Sequence, residues 1–262
     1  MRGSGGVVTV LSPIGRYTDP IWIAAARGGG DLQMMAAHES GLIPIQDGDS
    51  TYRLRYLDLS QSMYDGYYNV ISNPLLWFVH HYMWDTPREP KIGPREWRAW
   101  HEGYVPVNRA FAQAIAEEVG RSERPAVAMV HDYQLYLVPR LLREECPDLA
   151  IQFFLHIPFP GPDYFRILPM EMRLAILLSL LSCDIVGFQT GRFASSFLRA
   201  VNSFVPGAQV DFGLSQVTFE GRLTSARVYP VSIDPSVVRD LAYSEEAERE
   251  LESLSPFFGD LN

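Results

Sequence analysis

Cysteine is scarce in this sequence. The 262 residues hold two, Cys146 and Cys183, too far apart for the short-range pairing of a zinc knuckle or a redox dithiol, so both read as buried and reduced. Positive charge is also short: 22 Lys and Arg against 31 Asp and Glu leave a formal net charge of -9. No overall positive field is available to gather nucleic-acid phosphate or an anionic membrane surface, and neither is expected as a partner. Long apolar runs are missing, since the longest, Leu174 to Cys183, is closed by Arg173 and Asp184 and falls far short of the roughly 20 residues that cross a bilayer. Met1 and Arg2 lead into glycines instead of an apolar leader, which makes the cytoplasm the expected compartment. The G-x-G-x-x-G, P-loop and G-x-S-x-G patterns are all absent, which argues against a dinucleotide-dependent oxidoreductase and a serine hydrolase.

What is present is the composition of a folded domain, 47% hydrophobic and 20% charged. From about position 126 the chain alternates AVAMVH, LYLVPRLLREE, AIQFFLHI, MRLAILLSLLS, DIVGFQ and GRFASSFLRAV. Strand, helix, strand, helix, strand, helix predicts an α/β fold with a parallel sheet and flanking helices. The runs at 150–157 and 184–188 are apolar at successive positions, as strands buried on both faces require. Upstream, Trp97, Trp100, Tyr104, Val107, Phe111, Ile115 and Val119 trace the stripe of a long helix that Pro106 should kink. The segment 210–231 reads as an antiparallel excursion that returns to a last core strand. Beyond Pro235 comes SEEAERELESL, an acidic helix with little apolar face. The expected organisation is therefore one domain over 1–235 and a polar acidic tail over 236–262.

Ligands of open parallel sheets collect beyond the carboxyl ends of the strands. Three predicted strand ends carry polar groups: His131, Asp132 and Tyr133; His156, followed by Ile157 to Pro160; and Gln189, Thr190 and Gly191. Singly, each has a plainer explanation. Asp132 can N-cap the helix that follows it, and a lone His156 can be a satisfied buried histidine. Together they favour a small-molecule site. A metal centre is disfavoured because nothing nearby in sequence completes a ligand set around His131, Asp132 and His156. A carboxylate that accepts hydrogen bonds from neighbouring hydroxyls, beside an imidazole, suits a polyhydroxylated ligand such as a sugar. Gly3, Ser4, Gly5 and Gly6 form either a flexible end or a glycine turn that lets backbone N–H groups approach phosphate. In the aromatic stretch from Tyr64 to Trp84 most residues read as core, with Tyr67, Tyr68, Asn69, Ser72 and Asn73 adding polar groups.

The string HDYQLYLVPRLLREECPDLAIQFFLHIPFPGPDYFRILP, the later GFQT and the earlier YYNVISNPLLW and GGVVTVL resemble, in this order, trehalose-6-phosphate synthases. Related retaining glycosyltransferases that act on sugar phosphates, glucosylglycerol-phosphate synthases among them, share the resemblance, which runs from Gly5 to Pro235. It implies a Rossmann-like parallel sheet, the N-terminal, acceptor-side domain of a GT-B-type enzyme that transfers glucose from a nucleotide sugar, UDP-glucose, to glucose-6-phosphate with retention and without a metal or other cofactor. Carried over by position, it implies that Tyr68 and Trp77 hold the acceptor, that Asp132 binds acceptor hydroxyls, that His156 lies beside the donor sugar at the reaction centre, and that Gly6 belongs to the loop on the donor diphosphate. Asp132 and His156 are thus the implied catalytic pair. Some features depart from the family. Met1 falls after the family's first strand, whose Ser-Asn-Arg ending contributes an acceptor-phosphate arginine. The chain ends before the donor domain, and Ala25 stands where an aromatic often follows Trp22. The resemblance thus implies a domain without its first strand, inactive alone, whose partner is the missing donor domain or a full-length homologue. The alternatives are a non-catalytic sugar-phosphate-binding or regulatory module and an enzyme like glucosylglycerol-phosphate synthase.

Overall fold

The computed structural model describes residues 11–38, 40–48, 50–83, 92–232 and 235–258. Its first strand, β1 (Ile21–Ala25), leads through α1 (Gly29–Ala36) to a hairpin of β2 (Ile43–Asp47) and β3 (Ser50–Leu57). Strand β3 is central, parallel to β1 with Ile21 opposite Arg53 and antiparallel to β2 with Ile43 opposite Leu54. Two guanidiniums in β3 find carboxylates far away in sequence: Arg53 pairs with Asp19 at 2.9 Å, and Arg55 with Glu117 at 2.5 Å and Glu118 at 2.6 Å.

Two long helices follow. Helix α2 (61–80) starts under Ser60, whose hydroxyl accepts the Met63 N–H at 3.3 Å, and runs through a π-helical stretch, Asp65–Trp77, before ending as Phe78–His80. Helix α3 (94–121) comprises Pro94–Ala99, a π-helical turn Trp100–Tyr104, and Val105–Arg121. The sequence stripe holds, since Trp100, Tyr104, Val107 and Phe111 are buried in the core. Pro106, expected to kink the helix, lies two residues past the end of the wide turn at Trp100–Tyr104, and Pro74 lies within the wide stretch of α2. A widened turn gives room for a proline ring and a missing N–H.

The two π segments touch where each has a glycine. A Cβ added to Gly103 would sit 2.8 Å from the Tyr67 nitrogen and 2.9 Å from the Gly66 Cα, so neither helix can retain its place around a larger residue. Gly103→Ala should destabilise the chain by about 2 kcal/mol, the cost of overpacking against backbone, and should move Tyr67 and Tyr68. Urea unfolding and near-UV circular dichroism would check this; unchanged stability would show that the helices separate freely.

The main sheet is built from β4 (Val127–His131), α4 (Val138–Glu145), β5 (Ala150–Leu155), α5 (Met170–Leu180), β6 (Ile185–Phe188), α6 (Gly191–Phe204), β7 (Gln209–Asp211), β8 (Gln216–Phe219) and β9 (Arg222–Val228). The strand order is β4-β5-β6-β9-β8-β7. β4, β5, β6 and β9 are mutually parallel, and β7 and β8 form the expected antiparallel excursion, which returns to the core through β9. In β5, Phe153, Phe154 and Leu155 are all buried, so both faces are covered, whereas the outermost strand β4 exposes Val127 and Met129. Phe159, Phe165, Phe188 and Phe197 pack edge-to-face and tilted beneath the strand ends. Cys183 is buried as expected; Cys146 is only half-buried. Contacts divide the chain into Met1–Tyr229 and Pro230–Asn262. The second unit holds α7 (Pro235–Ala242) and α8 (Glu245–Phe258), whose first turn carries Glu245, Glu246 and Glu248. Among the described residues no helix is long and apolar enough to cross a membrane.

Candidate functional site

β4 and β5 run in register, His131 opposite Phe154, so their carboxyl ends deliver His131, Asp132 and His156 to one place. The Asp132 N–H donates to the Phe154 carbonyl at 2.8 Å, and its Oδ1 accepts the His156 N–H at 3.3 Å. The N-cap explanation for Asp132 does not hold, because its side chain caps nothing. The residue sits at φ 72°, ψ 166°, a left-handed, extended region that belongs to glycine and that other residues occupy only under strain. His156 is not a lone buried histidine either: its Nε2 shares a hydrogen bond of 3.1 Å with His131 Nδ1. The third strand end adjoins the second, since β6 runs parallel to β5 with Phe188 opposite Leu155, but its threonine serves the following helix. The Thr190 hydroxyl accepts the Phe193 N–H at 3.3 Å and caps α6.

The loop after Asp132 is fixed from α3. The Tyr104 hydroxyl donates to the Tyr133 carbonyl at 2.5 Å. Asn108, fully buried, donates to the Tyr104 and Gln134 carbonyls at 2.9 and 3.1 Å and accepts the Leu137 N–H at 2.9 Å. From α2, Asn73 accepts the Tyr133 hydroxyl at 2.9 Å, and a second anchor comes from His80. Its Nδ1 lies 2.7 Å from the Pro158 carbonyl, and its Nε2 lies 3.0 Å from the Tyr136 hydroxyl. A carbonyl only accepts, so Nδ1 carries the proton and the Tyr136 hydroxyl donates to Nε2. His80 therefore holds the backbone two residues past His156.

Burial sets the charges. It raises the Asp132 carboxyl to about 6, against the lowering effect of the Tyr133 and His156 N–H groups. It lowers His131 to about 4, with His156 adding to the effect, and lowers His156 as well. At neutral pH the site holds one carboxylate and two neutral imidazoles. The second ring nitrogen of His156 has no protein partner among the described residues. Such a set can accept hydrogen bonds from hydroxyls at Asp132 and either donate or accept at His156. Among the described residues, no three His, Cys, Asp or Glu side chains converge as a metal site would need.

Tyr68 and Trp77 both lie on α2. Tyr68 stacks on Tyr64 at 5.4 Å and lies close enough to Tyr67 and Tyr133 to raise both phenols electrostatically, Asp132 acting on both as well. Tyr68, Tyr133 and Asp132 thus share one neighbourhood. Trp77 makes its ring contacts with His81 at 4.0 Å and Phe78 at 5.6 Å, not with the Tyr64–Tyr68 stack. Gly6 lies outside the described residues. Sequence reasoning missed Arg27, whose guanidinium lies 4.0 Å over the Tyr64 ring and 5.6 Å from that of Tyr68, and it missed Asn108 and His80.

This frame can be set beside known proteins. The model of the family described as Glycosyltransferase family 20 matches residues 1–261. The chain belongs to glycosyltransferase family 20. It is 32% identical over 231 residues to the validamine 7-phosphate valienyltransferase of Streptomyces hygroscopicus subsp. jinggangensis, a match that covers 88% of this chain and 46% of that protein. It is 34% identical over 265 residues to the trehalose-6-phosphate synthase of Mycobacterium avium, covering 98% of this chain and 50% of the relative. The solved trehalose-6-phosphate synthase OtsA superposes with a TM-score of 0.72 at 25% identity, over 96% of this chain and 51% of that one. The chain thus spans about half the length of the curated relatives it matches. Its α/β architecture is that of the Rossmann-like N-terminal half of a GT-B-type family 20 glycosyltransferase.

Proposed function

We propose that this chain is the acceptor-side half of a retaining hexosyltransferase that moves glucose from UDP-glucose to a phosphorylated cyclic polyol, with glucose-6-phosphate the first candidate. The observation that carries this reading is the strained, half-buried Asp132 carboxylate, fixed beside the His131–His156 pair at two adjoining strand ends, within a family 20 frame. Asp132 accepts hydrogen bonds from acceptor hydroxyls. Tyr68 and Trp77 flank the acceptor, and His156 faces the donor sugar. In the transfer, the bond from the anomeric carbon to the diphosphate oxygen breaks, the acceptor hydroxyl oxygen bonds to that carbon on the same face, and its proton passes to the departing diphosphate. Stabilising the leaving group is then the main catalytic demand, and it falls on a donor-side domain.

Titration calorimetry tests the reading. Glucose-6-phosphate should bind the chain with a Kd on the order of millimolar, and Asp132→Ala should abolish the heat of binding. The chain alone should not turn over UDP-glucose and glucose-6-phosphate. Absence of binding at tens of millimolar, or turnover by the chain alone, would overturn the assignment.

A further inference from the structure

We infer that Arg27 forms the phosphate subsite for the acceptor, an inference that rests on the sugar-phosphate reading given above. Arg27 follows the end of β1, and its guanidinium lies over the Tyr64 ring at 4.0 Å with Tyr68 at 5.6 Å. Its neighbours in the small sheet are both neutralised, Arg53 by Asp19 and Arg55 by Glu117 and Glu118. Arg27, which is exposed, makes no ion pair among the described residues. The nearest carboxylate in sequence, Asp31, is already engaged: it accepts the backbone N–H groups of Arg27 at 2.7 Å and Gly28 at 3.3 Å, and it also bonds the Tyr56 hydroxyl.

A guanidinium resting on an aromatic ring spends its face and keeps its edge. The N–H donors lie in the plane of the group, so stacking leaves the fork that matches two phosphate oxygens free and holds it in one orientation. The Tyr68 ring lies 5.6 Å from the guanidinium carbon, and its hydroxyl, which has no hydrogen-bond partner among the described residues, supplies a further donor. The Tyr68 neighbourhood also contains Tyr133 and Asp132. A cationic fork and a phenol in the neighbourhood of a carboxylate match a ligand that carries a dianion at one end and vicinal hydroxyls at the other. The arrangement selects a phosphorylated sugar or cyclitol over its free counterpart, and it discriminates at a residue that WIAAARGGG presents as an ordinary surface arginine.

Calorimetric titrations of the intact chain with glucose-6-phosphate and with glucose, each at low and high salt, test the assignment in wild type, Arg27→Gln and Asp132→Asn. Wild type should bind the phosphate ester at least about tenfold more tightly than glucose, with an advantage that shrinks as salt rises. Arg27→Gln should remove that advantage and its salt dependence and leave glucose binding unchanged. Asp132→Asn should weaken both ligands. If Arg27→Gln binds glucose-6-phosphate as tightly as wild type does, the Arg27 subsite is overturned and the sugar-phosphate reading stands. If wild type binds neither ligand, the reading fails and the subsite fails with it. Far-UV circular dichroism confirms that the exposed substitution leaves the fold intact.

Discussion

Asp132→Gly should be more stable than wild type at pH 8, by about 3 kcal/mol, while losing sugar-phosphate binding. Two costs are removed together. The first is the desolvated carboxylate. Burial lifts its folded pKa to about 6 from 3.8, so the folded state holds a proton that the unfolded state has released. Stability from this group is therefore greatest below pH 4 and falls as pH rises to 6. The shift corresponds to an upper bound of roughly 3 kcal/mol, reduced to about 2 by water at the site mouth. The second is backbone strain at φ 72°, about 1–3 kcal/mol for a residue with a Cβ, partly offset by the extra unfolded-state freedom of glycine. Asp132→Asn removes only the first cost, retains an acceptor for the His156 N–H, and should gain about 2 kcal/mol at pH 8 with nothing at pH 4. Urea unfolding of the three proteins at both pH values reads the result. A variant less stable than wild type at pH 8 would mean that Asp132 holds the fold together. Stability given up at one residue is what a binding group looks like when its ligand is absent.

The parts of this fold that were legible in the sequence are those in which one segment settles its own fate. The runs AIQFFL and DIVGF declare strands because consecutive apolar residues need cover on both faces, and β5 and β6 form there. The stripe from Trp97 to Val119 declared a helix, but not the π turn at Trp100–Tyr104. Over five residues, a wide turn displaces the apolar positions by less than the slack in a three-or-four spacing. The β1–β3–β2 sheet was not foreseen, because β3 carries Arg53 and Arg55 where a strand wants apolar residues, and their carboxylates come from Asp19 and from α3. The site was half legible. His131, Asp132 and His156 stood at strand ends and converge there, whereas Gln189, Thr190 and Gly191 stood at another and Thr190 merely caps a helix. Arg27 and Tyr64 meet only through the fold. His80 was hidden in LLWFVHHYMW, where its surroundings read as core.

His80 steepens the acid limb of stability, and its share is isolated by comparison with a variant at that residue. Burial lowers the His80 imidazole from 6.5 to about 3, the Pro158 carbonyl resisting and His81 assisting. A histidine depressed in the folded state binds protons more readily when unfolded, so stability is complete above about pH 6.5 and declines as pH falls toward 3. His131, lowered to about 4, pulls in the same direction between pH 6.5 and 4. Asp132, raised to about 6, pulls the opposite way over nearly the same interval, because taking up its proton favours the fold. His156, also lowered by burial, adds to the acid loss, and the share that belongs to His80, about 3 kcal/mol between pH 6.5 and 4, is separated by substitution. His80→Asn can keep the donor to the Pro158 carbonyl but leaves the Tyr136 hydroxyl without its acceptor. It should cost about 2 kcal/mol at pH 7 and flatten the acid limb, so that the two proteins have nearly equal stability at pH 4. Urea midpoints across this range measure the slope. NMR of the wild-type imidazoles gives an independent reading that does not require the variant to fold: the His80 ring should remain neutral at pH 4.5. Titration of that ring near 6.5, or an acid limb unchanged in His80→Asn, would place the acid sensitivity elsewhere. The added proton goes to Nε2, where it displaces the Tyr136 hydroxyl and leaves the Nδ1–H bond to the Pro158 carbonyl in place, so acid should loosen the Tyr136 contact in the core while the backbone two residues past His156 stays held.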